Sequence, residues 1–298
     1  MAKDTGNQTP PMKHRIDPKV DCVFKALLGS EENRPLLIHF LNAILSAELS
    51  GPIVDVEILN PYNDKEFLTD KLSIVDVKAK DKSGRIFQVE IQMCAYPSLP
   101  KRMVYNWADI FSQQLQTGGD YTLLKPVYGI WLLAENLFDD KDYSRNFKLR
   151  DSKGQVPVEH GGIWVLELAK FHAQRIENEQ QRWLLFFKDG ENLNDDALPD
   201  WMNTDEMRKA MGTLRQFSEK DRDYHAYQAR QNFLREQSCI QKERQAALQE
   251  REAALQALEQ ERQEKQAALL REASALQAKE AALQEIERLK ALLQKKEG

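Results

Sequence analysis

Lys71–Gln92 reads KLSIVDVKAKDKSGRIFQVEIQ, and its alternation is that of two strands joined by a turn. From Leu72 to Lys80, Ile74, Asp76, Lys78 and Lys80 share one face, while Ser73, Val75, Val77 and Ala79 share the other, a period of two. Asp81–Arg85 is turn-forming, with Gly84 free to take positive φ. The alternation resumes at Ile86, setting Phe87, Val89 and Ile91 opposite Gln88, Glu90 and Gln92. If Asp81–Arg85 forms the loop, Asp76 lies across from Glu90 and Lys78 across from Gln88. A slip of one or two residues would change that register.

Opposed residues of an antiparallel pair bring their Cβ atoms to about 5 Å, where like charges repel. The Asp76–Glu90 pair therefore calls for compensation. A divalent cation is one solution, since Mg²⁺ is commonly held by one or two carboxylates with water and phosphate completing its shell. A solvated strand face whose acids pair with Lys78 or Lys80 is the other.

Outward from the hairpin, Asp17-Pro18 opens a helix to about Leu28, with Val20, Val23, Phe24 and Leu27 at helical spacing and Gly29 at its end. Asp21 and Lys25 share its other face, where an i,i+4 pair adds a few tenths of a kcal/mol. Asn33 and Pro35 open a second helix as N-cap and N1. Leu36, Leu37, Phe40, Leu41, Ile44 and Leu45 form its buried stripe, leaving His39 and Asn42 on the polar face. Ile53–Leu59 reads as a strand, Asn60–Asp70 as a polar loop, and Ser98 as the cap of a helix to about Thr117. Pro126–Leu133 and Ile163–Leu168 are the nearly unbroken apolar runs of central strands, Glu177–Phe187 is helical, and Gly190–Pro199 is a loop.

Asp76, thirteen intervening residues and then Glu90-Ile91-Gln92 resembles the PD-(D/E)XK nuclease signature in a form where Gln replaces Lys. DPKVDCVFKALLG at Asp17–Gly29, LNAIL at Leu41–Leu45, GGDYTLLKPVYGIWLL at Gly118–Leu133 and IWVLELAKF at Ile163–Phe171 are similar to the Rpn family of recombination-promoting nucleases and transposases. The likeness extends from about residue 15 to about residue 235.

That resemblance implies an α/β, restriction-endonuclease-like core, a mixed sheet flanked by helices, and a Mg²⁺- or Mn²⁺-dependent DNA endonuclease. It implies Asp76, Glu90 and the Ile91 carbonyl as metal ligands and Gln92 at the motif Lys position. Asp21 would be an added acid from the first helix, unless it is a surface acid paired with Lys25. Arg102 and Tyr105 match family positions on the helix after the hairpin. Arg102 would hold a phosphate by bidentate hydrogen bonds or pair with an acid at the surface. Gln92 cannot offset negative charge as an ammonium does, and Lys78, on the face of Asp76, is the residue placed to compensate.

The chain has 298 residues and a net charge of −5. Residues 241–298 carry eleven basic and eleven acidic side chains, so the whole −5 lies before them. Bulk charge does not drive DNA binding here, and any contact must come from a local patch such as Lys78, Lys80, Lys82, Arg85, Lys101 and Arg102. Three widely spaced cysteines and five histidines without a ligand pattern point away from a disulfide framework, zinc and His-held metals. No apolar run is long enough to span a bilayer, and Met1–Arg15 lacks the core of a signal peptide. The expectation is a soluble cytoplasmic protein.

Three segments follow: residues 1–15 disordered, 16–235 the nuclease-like domain, and 236–298 a coiled-coil helix. Ser218 with Asp221 resembles a capping box opening the last helix, which carries no Pro or Gly before Gly298. Ala-Leu recurs in one register of seven at Ala247, Ala254, Ala268, Ala275 and Ala282, with Leu289 continuing the alanine column. A second column, Leu258, Lys265, Glu272, Lys279, Ile286 and Leu293, is weakly apolar. Self-association as a dimer is the expectation, with a solitary charged helix as the alternative. The competing function is a nuclease fold retained as a non-catalytic scaffold acting through this helix, and strand transfer by a transposase is a third.

Overall fold

The computed structural model describes residues 12–60, 75–173, 175–193 and 198–294, apart from the side chains at 238, 239, 241, 242, 245 and 289–294. Most of the polar loop after Asn60, the start of the first hairpin strand, and residues 1–11 of the segment expected to be disordered lie outside this set.

Two helices come first, α1 (Asp21–Leu28) and α2 (Arg34–Leu45). Strands β1 (Val56–Leu59), β2 (Val77–Asp81) and β3 (Ile86–Gln92) precede helix α3 (Leu99–Ser112). Strands β4 (Val127–Leu133), β5 (Ser144–Phe147) and β6 (Gly161–Glu167) complete one six-stranded sheet of order β1-β2-β3-β4-β6-β5. Helices α4 (Glu179–Asp189), α5 (Asp205–Glu219) and α6 (Asp221–Gln294) follow.

The sheet is mixed: β3, β4 and β6 run parallel, with antiparallel pairs at both margins. Parallel strands need covered faces, and β4 and β6 are buried at every residue. On one face Phe87, Val89, Ile91, Tyr128, Ile130, Leu132, Trp164 and Leu166 share the main core with α1, α2, α4 and α5. On the other, Trp131, Leu133, Ile163 and Val165 pack against Leu99 and Met103 of α3.

The expected hairpin register is present, with Val77 opposite Val89 and Lys78 opposite Gln88. Asp81 belongs to the end of β2 and organises the turn. Its carboxylate accepts from the Ser83 and Arg85 N–H groups and the Ser83 hydroxyl, and holds the Arg85 Nε at 2.6 Å. Gly84 takes φ +88° there, as its lack of Cβ allows.

Other expectations are corrected by side-chain amides that satisfy backbone. The strand expected from Ile53 begins at Val56, because Asn42 accepts from the Ile53 N–H at 2.7 Å and donates to its carbonyl at 2.8 Å. Helix α3 stops at Ser112, five residues early, and the Gln114 amide clamps both backbone groups of Lys125 at 2.9 Å. Neither Asn33 nor Ser98 makes a side-chain cap; Asn33 instead ties the Ala26 carbonyl to Thr213.

Helix α5 and edge strand β5 lie outside the sequence expectations. Thr204 caps α5, accepting from the Met207 N–H. Ser218 is no cap: it lies buried inside α5, its hydroxyl accepting from the His14 N–H at 2.7 Å. The chain breaks at Lys220, whose ψ of 109° is extended, and α6 starts anew at Asp221. The chain divides into two compact units, Met1–Glu236 and Gln237–Gly298.

Candidate active site

The β2/β3 ladder ends at Val77–Val89. One residue further out, the Asp76 side chain takes over, its Oδ2 accepting from the Ile91 N–H at 3.0 Å. Gln92 gives its carbonyl to Ala134 on the β4 side, so strand alternation turns the Ile91 N–H and carbonyl toward Asp76. Asp76 thus sits in the notch where β2 leaves β3.

Glu90 lies on the α3 face of the sheet, level with Trp131 and only 3% exposed. Its Oε1 accepts from the Gln88 amide at 3.2 Å, and the Arg102 Nη2 stands 3.6 Å from its Oε2. Burial first, and the Asp76 charge second, push the Glu90 carboxyl up to about 8, against the pull of Arg102, Gln88 and Lys25. Burial also raises Asp76, offset by the Ile91 N–H and by Lys25, while Asp21 adds to the rise. The two acids therefore feel each other's charge.

Each acid of the region faces a cation from a different helix. Lys25 of α1 lies 3.4 Å from Asp76 Oδ1. Arg102 of α3 serves Glu90 and also donates to Gln92 Oε1 at 3.2 Å and the Tyr96 hydroxyl at 3.3 Å, its guanidinium 5.5 Å from the Trp131 ring centroid. Arg230 of α6 grips Asp21 with its Nε 2.7 Å from both carboxylate oxygens and its Nη2 2.7 Å from Oδ2. The alternative of an Asp21–Lys25 surface pair is not realised, since Lys25 turns to Asp76 and Asp21 to Arg230.

Lys78 is half-buried opposite Gln88 and Leu59. Lys80 is exposed opposite Ile86, four residues from Asp76 and so roughly 13 Å along the strand. Tyr105 is exposed on α3, about one turn beyond Arg102. Sequence reading missed Gln88, Tyr96 and Trp131 around Glu90, and Arg230. The spacing Gln88-Glu90-Gln92 was the one signal for Gln88. No local pattern links Arg230 to a residue 209 positions earlier.

Among the described residues no group of three or more His, Cys, Asp or Glu side chains could hold a metal ion. The candidate donors are the Asp76 carboxylate at the notch, the neighbouring Ile91 carbonyl and the Glu90 carboxylate on the α3 face. That set fits a hard cation of the Mg²⁺ type, which takes few protein oxygens and completes its shell with water and phosphate. The mutual repulsion of Asp76 and Glu90 is what such an ion would relieve.

A mixed sheet with acids at the divergence of its second and third strands, helices on both faces and a helix ahead of the first strand defines a PD-(D/E)XK-type nuclease core. The chain belongs to the PD-(D/E)XK nuclease family transposases, which it matches over residues 18–243. Comparison with curated proteins and with solved structures finds no match. Membership assigns it a function of the nuclease or transposase type. Among the described residues no helix is long and apolar enough to cross a membrane.

Proposed function

We propose that the chain is a Mg²⁺- or Mn²⁺-dependent DNA endonuclease that hydrolyses phosphodiester bonds, with Asp76, Glu90 and the Ile91 carbonyl holding the ion. The observation that carries this reading is an Asp76 carboxylate bound to the Ile91 N–H next to the buried Glu90, in a family of nucleases. A divalent ion bound there supplies Lewis-acid polarisation of the phosphate and a water of lowered pKa.

The chain's own residues do the rest. The Ile91 N–H aims Asp76, and the Gln88 amide aims Glu90. Gln92 cannot supply the charge of the motif Lys, but it orients Arg102, which brings a guanidinium to the same face. Arg102 is then the group that neutralises a bound phosphate, in the role expected of Lys78. Lys80 and Tyr105, exposed on β2 and α3, extend the DNA contact.

The test is nicking of supercoiled plasmid by the purified full chain with Mg²⁺ or Mn²⁺. Asp76→Ala or Glu90→Ala is expected to lower the rate by at least about a hundredfold, the scale of removing one charge-stabilising group, and EDTA to abolish cleavage. Equal cleavage by wild type and both variants overturns the assignment.

A second copy of the chain is the partner we infer for α6. Leu248, Leu255, Leu269, Leu276 and Leu283 fall at seven-residue steps and stand about half exposed, with Arg262 interrupting the column. The scaffold reading rests on Gln92 in the motif Lys position. Calorimetric titration with Mn²⁺ separates the two, since a scaffold binds no ion that Asp76→Asn removes.

A further inference from the structure

The first turns of α6 are seated against the N-terminal approach to α1 by a row of contacts. Lys13 pairs with Asp221 at 2.9 Å, and His14 stacks on Tyr224 at 3.7 Å between ring centroids. The Asp17 N–H donates to the Tyr227 hydroxyl at 3.1 Å, and Arg230 then closes on Asp21. Residues 221, 224, 227 and 230 recur every three positions, so the four contacts wind as a band round about half of the helix. That band fixes where the Arg230 guanidinium stands. Phe233 braces it further, with the guanidinium 4.7 Å from the ring centroid.

Three acids and three cations meet here, Asp21 with Arg230, Asp76 with Lys25 and Glu90 with Arg102. Lys25 and Arg102 approach their acids at 3.4 and 3.6 Å, beyond strong hydrogen bonds. Arg230 differs, because its Nε stands 2.7 Å from both oxygens of Asp21 and its Nη2 2.7 Å from Oδ2. The Asp21 carboxylate in turn lifts the Arg230 guanidinium above its ordinary value. The field of Arg230 reaches Asp76 as well.

We propose that Arg230 is a resident cation held on Asp21 that weakens the binding of a divalent ion at Asp76 and Glu90. The proposal rests on the metal reading of Asp76 and Glu90 above. A guanidinium fork matches a carboxylate in shape and keeps its charge at every working pH, so it opposes the ion without titrating.

The experiment is calorimetric titration of the full chain with Mn²⁺ alone, comparing wild type, Arg230→Gln, Arg230→Lys, Arg230→Gln with Asp21→Asn, and Asp76→Asn. Arg230→Gln is expected to bind Mn²⁺ about tenfold tighter, as loss of a unit charge beside a dication implies. Arg230→Lys, which keeps the charge and guards against a folding artefact, is expected to stay near wild type. Adding Asp21→Asn to Arg230→Gln is expected to cancel the gain. Equal affinity in wild type and Arg230→Gln overturns this inference while leaving the metal site standing. Absence of any binding that Asp76→Asn removes overturns both.

Discussion

At the scale of single residues, the protonation of Glu90 is the sharpest consequence of the site. Its ordinary value is 4.5, and burial with the Asp76 charge lifts it to about 8 in the folded chain. Between those values the folded state keeps a proton that the unfolded chain has lost, so stability falls as pH rises from about 4.5 to about 8. Glu90→Gln, neutral throughout, is expected to melt with a flatter pH profile over that window and to gain most on wild type near pH 8. Parallel profiles for the two proteins would mean that Glu90 is ionised in the fold. The hairpin register from Val77–Val89 to Lys80–Ile86 was legible in the sequence because strand alternation is local and the turn sets the register. The cations that face Asp21, Asp76 and Glu90 were not legible. Lys25, Arg102 and Arg230 come from three helices whose approach to the sheet is set by tertiary packing, and a four-residue helical spacing drew Lys25 toward Asp21 when its structural partner is Asp76.

At the scale of elements, the hairpin depends on its turn. Asp81 is 8% exposed and anchors Ser83 and Arg85 through four hydrogen bonds, one to a guanidinium. Asp81→Ala strands those donors and is expected to cost about 3 kcal/mol in a denaturant melt, the range for losing hydrogen bonds to a charged group. A loss under about 0.5 kcal/mol would show that the strands hold their register without the turn. The strongly patterned elements, β3, β4, β6, α1, α2 and α4, were readable because their apolar periodicity is what packs them. Strand β5, SRNF, has no such periodicity and pairs only at the sheet margin. Helix α5 hid behind the uniform helical composition that follows it; the break at Lys220 carries no Pro or Gly, and two residues before it Ser218 receives the His14 N–H. Long-range side-chain clamps of this kind, Asn42 on Ile53 and Gln114 on Lys125 among them, leave no trace in spacing.

At the scale of the whole molecule, the nuclease fold and the leucine column of α6 make joint sense if two copies act together. One acid pair can hydrolyse one strand at a time, and a duplex break needs a second cut on the antiparallel strand. Two copies associated through α6 bring a second site to the same DNA and raise its effective concentration there. The column is interrupted by Arg262 and its companion column holds Lys265, Glu272 and Lys279, so the association is expected to be reversible and concentration-dependent. Leu255→Lys with Leu276→Lys, in the full chain, places cations in the seam while leaving residues before Gln237 untouched. Light scattering is expected to show the mass falling from two copies toward one. Plasmid nicking per chain is expected to persist, while linear product falls relative to nicked circles. A variant that keeps the wild-type mass would remove α6 as the dimer contact, and one that turns monomeric yet linearises plasmid as before would show that each copy cuts both strands unaided.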